Sequence, residues 1–415
     1  MDIRLNIEQA PLELRLILSC LRVSAGQDCG PQIRALSERV EDWGKLMRLA
    51  ERHRVIPFVY KGLKSAKEVK IPKDLLTDLK KGSQLNSQSV LVKSAQLVQI
   101  IKHFQAAGVS VLPFKGPTTA MLAYGDVGLR HFSDLDIMVA PNHLWEAERI
   151  LFDQGFRRTI PHFEMTCKQW PVFFRNTHHL VYVHFASELR VDLHWRFGEN
   201  RYLFPIGFDD LWRDRQILQL GGVSIPTFGN EHTMLLLCTH GANHTWLALF
   251  WLNDVARLAA QKSIIDWPKL MKISKRMGTN RMLAEGLILS CLLLGSPLPE
   301  HIKDWAATDK GAVRHMKISF QRMSSFDHCS YKPFTRSYFS NMFHGILLRK
   351  DPRYSLVFAT RILTAGQEKW ERSPLLAAFI PFYTAVRGIR WFLRWYIPGS
   401  RTYREGPMGK KQKKC

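Results

Sequence analysis

In residues 111–139, VLPFKGPTTAMLAYGDVGLRHFSDLDIMV, two apolar runs are separated by a Lys-Gly turn, and acidic and apolar residues alternate at the start of the final run. The pattern predicts a short apolar strand, a sharp turn at Lys115-Gly116, a helix, a glycine-marked loop and a second strand that carries Asp134 and Asp136. Side chains at positions i and i+2 of a strand point to the same face of the sheet. The two carboxylates therefore project together, whereas the apolar residues between and after them face a core.

The whole chain divides into four regions, the second of which contains residues 111–139. Apolar residues at helical spacing predict an N-terminal helical region over 1–105. Mixed strand and helix signals predict an α/β core over 106–228, and helical periodicity returns over 229–370. A basic, aromatic and amphipathic tail follows over 371–415. The fold class expected is α+β, with a mixed-sheet core flanked by N-terminal and C-terminal helical regions.

A third acidic residue lies in a later strand signal. The runs 180–185 and 189–195 are separated by a short turn and predict an antiparallel hairpin, which would bring Asp192 alongside Asp134 and Asp136. Neighbouring carboxylates repel each other unless a positive charge lies between them. Hard oxygen ligands suit Mg²⁺ or Mn²⁺, so these three residues are the candidate metal ligands and catalytic residues. The alternative is that the Asp-Leu-Asp run is a solvated strand end.

Several residues around the acidic group are candidates for binding the cofactor nucleotide. Lys115 and Gly116 open a helix, where backbone N–H groups and an ammonium group favour a triphosphate; the alternative is a surface lysine. Arg130, four residues before Asp134, is placed either to pair with an acid or to reach a phosphate. Ser133, next to the acidic pair, is included in the same nucleotide-binding set.

Histidines lie close to the acidic residues in the sequence. His194 is two residues from Asp192 and points to the same face, and His178 and His179 precede the first strand of the hairpin. His178 or His179 is a candidate for lining the active site, with His179 and His194 included in the nucleotide-binding set, and the alternative for each is a hydrogen-bonded structural histidine. A zinc site is disfavoured, because three acidic residues fit magnesium better and Cys167 has no matching partner.

A single acid interrupts an apolar helix in the second half of the chain. Asp254 lies within the run 246–260, and a carboxylate there normally needs a partner. His240, His244 or Arg257 are the residues from which we expect that partner. The contact would either hold the helices together or shape the nucleotide or acceptor pocket.

The net charge of +23 favours anionic partners. Residues 387–415 hold nine Lys or Arg and one Glu, a net charge of +8. Aromatic residues and arginines at helical spacing over 373–397 favour an anionic membrane surface as a partner of the tail, the alternative being that this helix packs on the protein's own core. No regular basic and aromatic array marks the core, so nucleic acid is not the partner expected.

The seven cysteines show no CxxC spacing and are interpreted as reduced thiols. The first residues lack a signal-peptide pattern, and no uncharged apolar run approaches the ~20 residues that span a bilayer. The expected location is therefore the cytoplasm, with the tail allowing peripheral association with the inner face of the membrane.

Taken as a set, the short motifs of residues 40–300 resemble an uncharacterised bacterial family of the nucleotidyltransferase superfamily, which has the polymerase-beta-like fold. One departure is that the wider superfamily has a Gly-Ser turn where this chain has Lys-Gly. The motifs that carry the resemblance are Lys115-Gly116, Tyr124-Gly125-Asp126, Gly128-Leu129-Arg130, Asp134-Leu135-Asp136, His178-His179, the VDLHW run at 191–195, and His240 with His244.

The resemblance implies a magnesium-dependent enzyme that transfers a nucleoside monophosphate from ATP or another NTP to an unknown acceptor. It also implies a link to polysaccharide or peptide natural-product biosynthesis. Two other classes of function stay open at this point. The first is a catalytically silent NTP-binding or regulatory protein of the same fold, and the second is a basic protein that binds nucleic acid or a membrane surface.

Overall fold

The computed structural model describes residues 5–66, 69–261, 263–325 and 336–364. The predicted tail over 371–415 lies outside the described residues. Among the described helices, none combines the length and apolar character that crossing a membrane requires.

The N-terminal region is helical, as its periodicity predicts. Leu14, Ile17 and Leu21 recur at helical spacing along the first helix and are buried. Asp42 caps the third helix, where its carboxylate accepts a hydrogen bond from the Lys45 N–H at 2.7 Å. The helices of this region are α1 (Leu12–Ser24), α2 (Gly30–Ser37), α3 (Trp43–Arg52), α4 (Ile56–Ser65) and α5 (Lys73–Ala106), preceded by a 3₁₀ helix at Ile7–Gln9.

A five-stranded mixed sheet forms the centre of the molecule, in the order β1-β2-β5-β4-β3. Strands β2 and β5 run parallel, and the other neighbours are antiparallel. The antiparallel pairing predicted for the hairpin is confirmed by β4 and β5. The strands are β1 (Val111–Pro113), β2 (Asp134–Val139), β3 (Phe156–Ile160), β4 (His179–His184) and β5 (Leu189–His194).

Helices and a small hairpin surround this sheet. The Thr227 hydroxyl donates to the Pro113 carbonyl at 2.6 Å, which fastens the hairpin to the end of β1. The elements are α6 (Gly116–Tyr124), α7 (Leu144–Asp153), α8 (Trp170–Asn176), α9 (Phe208–Arg213), β6 (Gln216–Leu220), β7 (Val223–Thr227), and the 3₁₀ helices Val127–Leu129 and Pro141–His143.

The second half of the described chain is helical, as predicted. Asp266 caps its third helix through a hydrogen bond from the Lys269 N–H at 2.9 Å, and Pro268 lies in the first turn. The helices are α10 (Asn230–Asn243), α11 (Leu249–Ala260), α12 (Trp267–Met277), α13 (Asn280–Leu294), α14 (Glu300–Thr308), α15 (Lys310–Ser324), α16 (Arg336–Leu347) and α17 (Pro352–Thr364).

Two hydrophobic cores hold these layers. One lies under the sheet and includes Leu135, Ile137 and Val191, the apolar residues that alternate with the candidate site residues. The other joins the N-terminal helices to the C-terminal helices through residues such as Leu16 and Leu287. The observed architecture is an α+β fold with a mixed sheet between two helical regions, as the sequence predicts.

Candidate functional site

The turn between β1 and α6 sets one edge of the site. The Phe114 N–H donates to the Asp136 carbonyl at 3.0 Å, which ties the turn to β2. Lys115 has φ 62° and ψ −156°, a region that L-residues rarely adopt because the Cβ atom crowds the backbone, and Gly116 has φ 45°. Holding a non-glycine residue there costs about 1–3 kcal/mol. The fold therefore imposes the position of this lysine against its backbone preference.

The Lys115 ammonium lies over the acidic face of the sheet. Its Nζ is 3.6 Å from Asp136 Oδ1. The same atom is 5.5 Å from the ring centroids of Phe114 and of Phe197. Rings at this distance attract a cation weakly and shield it from water. The lysine charge is thus held beside a carboxylate on the side of the site that α6 opens.

The register of β2 against β5 brings the acidic residues together. Asp134 is opposite Arg190, and Asp136 is opposite Asp192. Met138 is opposite His194 on the same pair of strands. Because side chains alternate along each strand, the polar residues of both strands share one face, and their apolar neighbours pack beneath.

Asp136, Asp192 and His194 form the closest group. One carboxylate oxygen of each acid and one ring nitrogen of His194 all lie within 4.8 Å of one another. The His194 Nε2 to Asp136 Oδ1 distance is 3.0 Å. Asp134 shares the face but is not in this group, and the Ser133 hydroxyl is 3.4 Å from Asp134 Oδ1. Two of the three predicted carboxylates are therefore close enough to share one ion as placed.

Two further imidazoles, those of His178 and His179, lie beside His194 of this group. The ring nitrogens of His178, His179 and His194 include a set within 4.8 Å of one another. His178 Nε2 is 2.9 Å from His179 Nδ1, and the His179 and His194 rings stack at 5.0 Å. His179 Nε2 is also 3.8 Å from Asp192 Oδ2. The predicted histidines His179 and His194 thus lie at the acidic group, together with His178.

The charges of the site interact strongly. Burial alone would raise the pKa of Asp136, but Lys115 and His194 together lower it below its usual range. Burial raises the pKa of Asp192 despite its ion pair. Burial, with His194 and Arg190 as further causes, lowers the pKa of His179 to about 3. Near neutral pH His179 is therefore unprotonated and has a lone pair available for a metal ion.

Arg190 is a site residue that the sequence analysis missed. Its Nε and Nη2 donate to the two Asp192 oxygens at 2.6 and 2.7 Å. Arg190 is two residues before Asp192, so strand alternation alone placed it on the same face. The guanidinium compensates the charge of Asp192, and a metal ion would share or displace that ion pair.

Arg130, unlike the other candidate residues, is paired with a buried acid of the C-terminal helices. Its side chain is 4% exposed and its Nε donates to Asp254 Oδ2 at 2.9 Å. Tyr124 donates to the other oxygen of Asp254 at 2.8 Å. Of the two interpretations of Arg130, pairing with an acid is the one seen. The partner expected for Asp254 was wrong: it is Arg130 on the loop before β2, and not His240, His244 or Arg257.

His240 on α10 and His244, just after the end of that helix, border the site on the side of the C-terminal helices. The His240 ring lies 6.2 Å from the Phe197 ring and 4.6 Å from the His244 ring. Burial lowers the pKa of His240, and Lys115 is the next largest cause. This pair therefore lies within electrostatic reach of the lysine that faces the carboxylates.

The residues present suit a divalent cation. Two carboxylates and a neutral imidazole are a donor set that binds magnesium, manganese or zinc. Among the described residues, the buried Nδ1 atoms of His178 and His194 have no hydrogen-bond partner. An unpartnered buried nitrogen is costly, whereas the Nε2 atoms of the same two rings contact Asp136 and His179.

A five-stranded mixed sheet with flanking helices, in which an Asp-x-Asp strand lies beside a second acidic strand, is consistent with a nucleotidyltransferase-type fold. The chain belongs to the family described as uncharacterised nucleotidyltransferase, whose model matches residues 39–295. Comparisons with the curated proteins and with the solved structures found no match. The resemblance drawn from the motifs is confirmed at the level of the family, and the matched segment contains every candidate site residue.

Proposed function

We propose that this protein is a metal-dependent nucleotidyltransferase that transfers a nucleoside monophosphate from an NTP to an acceptor. The supporting observation is the parallel register that brings Asp136 and Asp192 together, with His194 within 4.8 Å of both. Lys115 stands beside them at the start of α6. Family membership supports the reaction class.

Asp136 and Asp192 are the proposed ligands of Mg²⁺ or Mn²⁺, and Asp134 on the same face is the third. When bound, the cation neutralises charge developing on the triphosphate and activates the acceptor oxygen. In the reaction that oxygen bonds to the α-phosphorus, the bond to pyrophosphate breaks, and the acceptor proton leaves to a base. Asp192, which lies beside Asp136 on the same face of the sheet, is the proposed acceptor of that proton.

The triphosphate has a proposed place at the turn before α6. The positive end of the α6 dipole favours phosphate there, and Lys115 supplies a full positive charge, whereas Pro117 has no N–H and the Thr118 and Thr119 N–H groups donate to the Lys115 carbonyl. Arg190 supplies a second positive charge from the other strand. His194 orients the Asp136 carboxylate through its Nε2 atom at 3.0 Å, and His179 is proposed to line the nucleotide site beside Asp192.

The acceptor proposed is an intermediate of polysaccharide or peptide natural-product biosynthesis, and this rests on the motif resemblance alone. ATP is the donor proposed from the same resemblance. The basic composition of residues 387–415 is the ground for proposing an anionic membrane surface as a partner in the cytoplasm.

A silent nucleotide-binding protein is the second candidate, favoured by a specific observation. Asp136 and Asp192 each already have a basic partner, Lys115 and Arg190. A site neutralised in this way is compatible with binding a nucleotide without a metal ion. Nucleotide affinity that is unchanged by EDTA, with no release of pyrophosphate, would identify this function.

The decisive experiment incubates the purified chain with each α-labelled NTP and cell extract, with Mg²⁺, Mn²⁺ or EDTA, and measures pyrophosphate and labelled product. Asp136→Asn should lower the rate at least about 100-fold, as losing a group that stabilises transition-state charge does elsewhere. Asp153→Asn, an exposed acid at the end of α7, is the matched control and should leave the rate unchanged. Transfer that continues in EDTA, or in Asp136→Asn, would contradict the proposal.

A further inference from the structure

A second cluster of ligand-type side chains lies within the C-terminal helices. Glu285 on α13, His315 on α15 and His344 on α16 are 0%, 1% and 3% exposed. His315 and His344 lie beyond the segment that the family model matches, which ends at residue 295. The cluster is built by other residues than those of the site described above.

One atom of each residue faces the others without a hydrogen bond. Among the described residues, Glu285 Oε2, His315 Nδ1 and His344 Nδ1 are buried and have no hydrogen-bond partner. One ligand atom of each residue lies within 4.8 Å of one of each of the others. The closest ion-pair distance, from His315 Nδ1 to Glu285 Oε2, is 3.9 Å, which is too long for a hydrogen bond. Three buried polar atoms without hydrogen bonds are costly, and a ligand bound by all three would remove that cost.

The surrounding hydrogen bonds orient these atoms as ligands. The Ser319 hydroxyl donates to Glu285 Oε1 at 2.7 Å, and the Trp246 indole also interacts with this carboxyl group, although Oε2 itself has no hydrogen bond of normal geometry among the described residues. His344 Nε2 is 3.2 Å from the Ala242 carbonyl. A carbonyl only accepts, so Nε2 carries the proton and Nδ1 presents its lone pair. Metal-binding histidines usually have such a backbone partner on the nitrogen that does not bind the metal.

We propose that Glu285, His315 and His344 bind one Zn²⁺ ion that fastens α15 and α16 to α13. A carboxylate with two imidazoles is a common donor set for zinc. Ligand atoms of a tetrahedral zinc ion are about 3.4 Å apart, from bond lengths near 2.1 Å. Small side-chain movements are enough to close the observed spacing. The ion joins a matched helix to two helices outside the family match.

A buried water molecule is the competing occupant, because it too can satisfy several polar atoms. Measuring how much zinc the protein binds distinguishes a zinc ion from a water molecule in this place. The full-length chain, freed of metal with EDTA, is titrated with Zn²⁺ alone, and bound zinc is measured by mass spectrometry. Asp136→Asn/His179→Gln removes ligands from the site on the sheet, so zinc that persists in this variant is assigned to the helical cluster.

The test compares variants in that double-variant protein. Glu285→Gln and His344→Gln should each lower zinc affinity at least about 100-fold and remove one bound equivalent. His232→Gln is the matched control and should retain the zinc, because His232 is a buried histidine on α10 whose ring nitrogens make no hydrogen bond among the described residues. Equal zinc binding by all variants, or none by the starting protein, would overturn the proposal.

A direct measurement covers the case in which the variants do not fold. Crystals of the wild-type chain soaked in Zn²⁺ should give an anomalous difference peak between Glu285, His315 and His344. A peak only at the sheet site, or a water molecule between the three side chains, would overturn the assignment.

Discussion

The buried ion pair between Arg130 and Asp254 allows a sharp test of how the sheet and the helical region are joined. Asp254 is fully buried on α11, and its Oδ2 is 2.9 Å from Arg130 Nη2. Asp254→Asn removes the negative charge but keeps a group that can accept from Tyr124. Arg130 would then be a buried cation without a counter-charge, and breaking a pair in this way costs about 3–5 kcal/mol of unfolding free energy.

Urea denaturation of the wild type, Asp254→Asn, Arg130→Met and the double variant measures this cost and its origin. Replacing both charges by uncharged groups of similar size is often nearly neutral. We therefore expect the double variant to be more stable than Asp254→Asn alone, by about 2–3 kcal/mol, because the unpaired cation is gone. Losses that simply add, or a loss below about 1 kcal/mol in Asp254→Asn, would refute the reasoning.

The same variants separate the two roles considered for Arg130. If its function is to hold the helical region to the sheet, NTP affinity in Arg130→Met should fall only as far as stability does. The double variant should then recover both stability and NTP affinity. Recovered stability with NTP affinity still lost would place Arg130 on the triphosphate.

Three further predictions concern backbone and burial. Burial lowers the pKa of His53 to about 3, below its usual 6.5, so its stabilising effect is present above pH 6.5 and is lost as pH falls towards 3. His53→Gln should therefore reduce the slope of unfolding free energy between pH 6 and 4 by about 1.4 kcal/mol per pH unit, measured by urea denaturation, and an unchanged slope would contradict this. A Cβ at Gly62 would lie 2.5 Å from Cys20 Cβ and 2.6 Å from its Cα. Gly62→Ala should therefore lower the free energy of unfolding by about 1–3 kcal/mol, seen as a lower thermal midpoint. Gly207 is exposed and an added Cβ would have nothing within 4 Å, so the control Gly207→Ala should change the thermal midpoint little. Lys115→Gly should abolish nucleotidyl transfer, and it should be more stable than Lys115→Ala by about 1 kcal/mol, because both variants lose the ammonium beside Asp136 and only glycine relieves the backbone strain; retained transfer would contradict the role of the lysine.

Local patterns predicted those parts of the fold that neighbouring residues determine. Alternation placed Asp134 and Asp136 on one face of β2, and the confirmed hairpin of β4 and β5 follows from a turn between two apolar runs. The cap at Asp266 likewise depends only on the first turn of its own helix. These features need no knowledge of distant residues.

Contacts between segments that are distant in the sequence could not be predicted from local patterns. Asp254 was assigned partners on its own and the adjacent helix, whereas its partner Arg130 is 124 positions away in the sequence. The parallel register of β2 and β5, with Asp136 opposite Asp192, depends on how two strands separated by β3 and β4 meet. No periodicity in either strand encodes that register. Strand alternation predicts that Arg190 shares a face with Asp192, but it does not predict the ion pair between the two side chains.

The observed charges change the argument for a metal ion. From the sequence, repulsion between carboxylates was the reason to expect a cation. In the folded chain Lys115 and Arg190 already offset part of that charge, so a cation must compete with two ion pairs. A triphosphate would attract both basic side chains away from the acids and leave the acids free for the cation. Binding of nucleotide and metal would then favour each other, since each removes the competitor of the other. If the proposed function is correct, we therefore expect the metal–nucleotide complex to bind more tightly than either component alone.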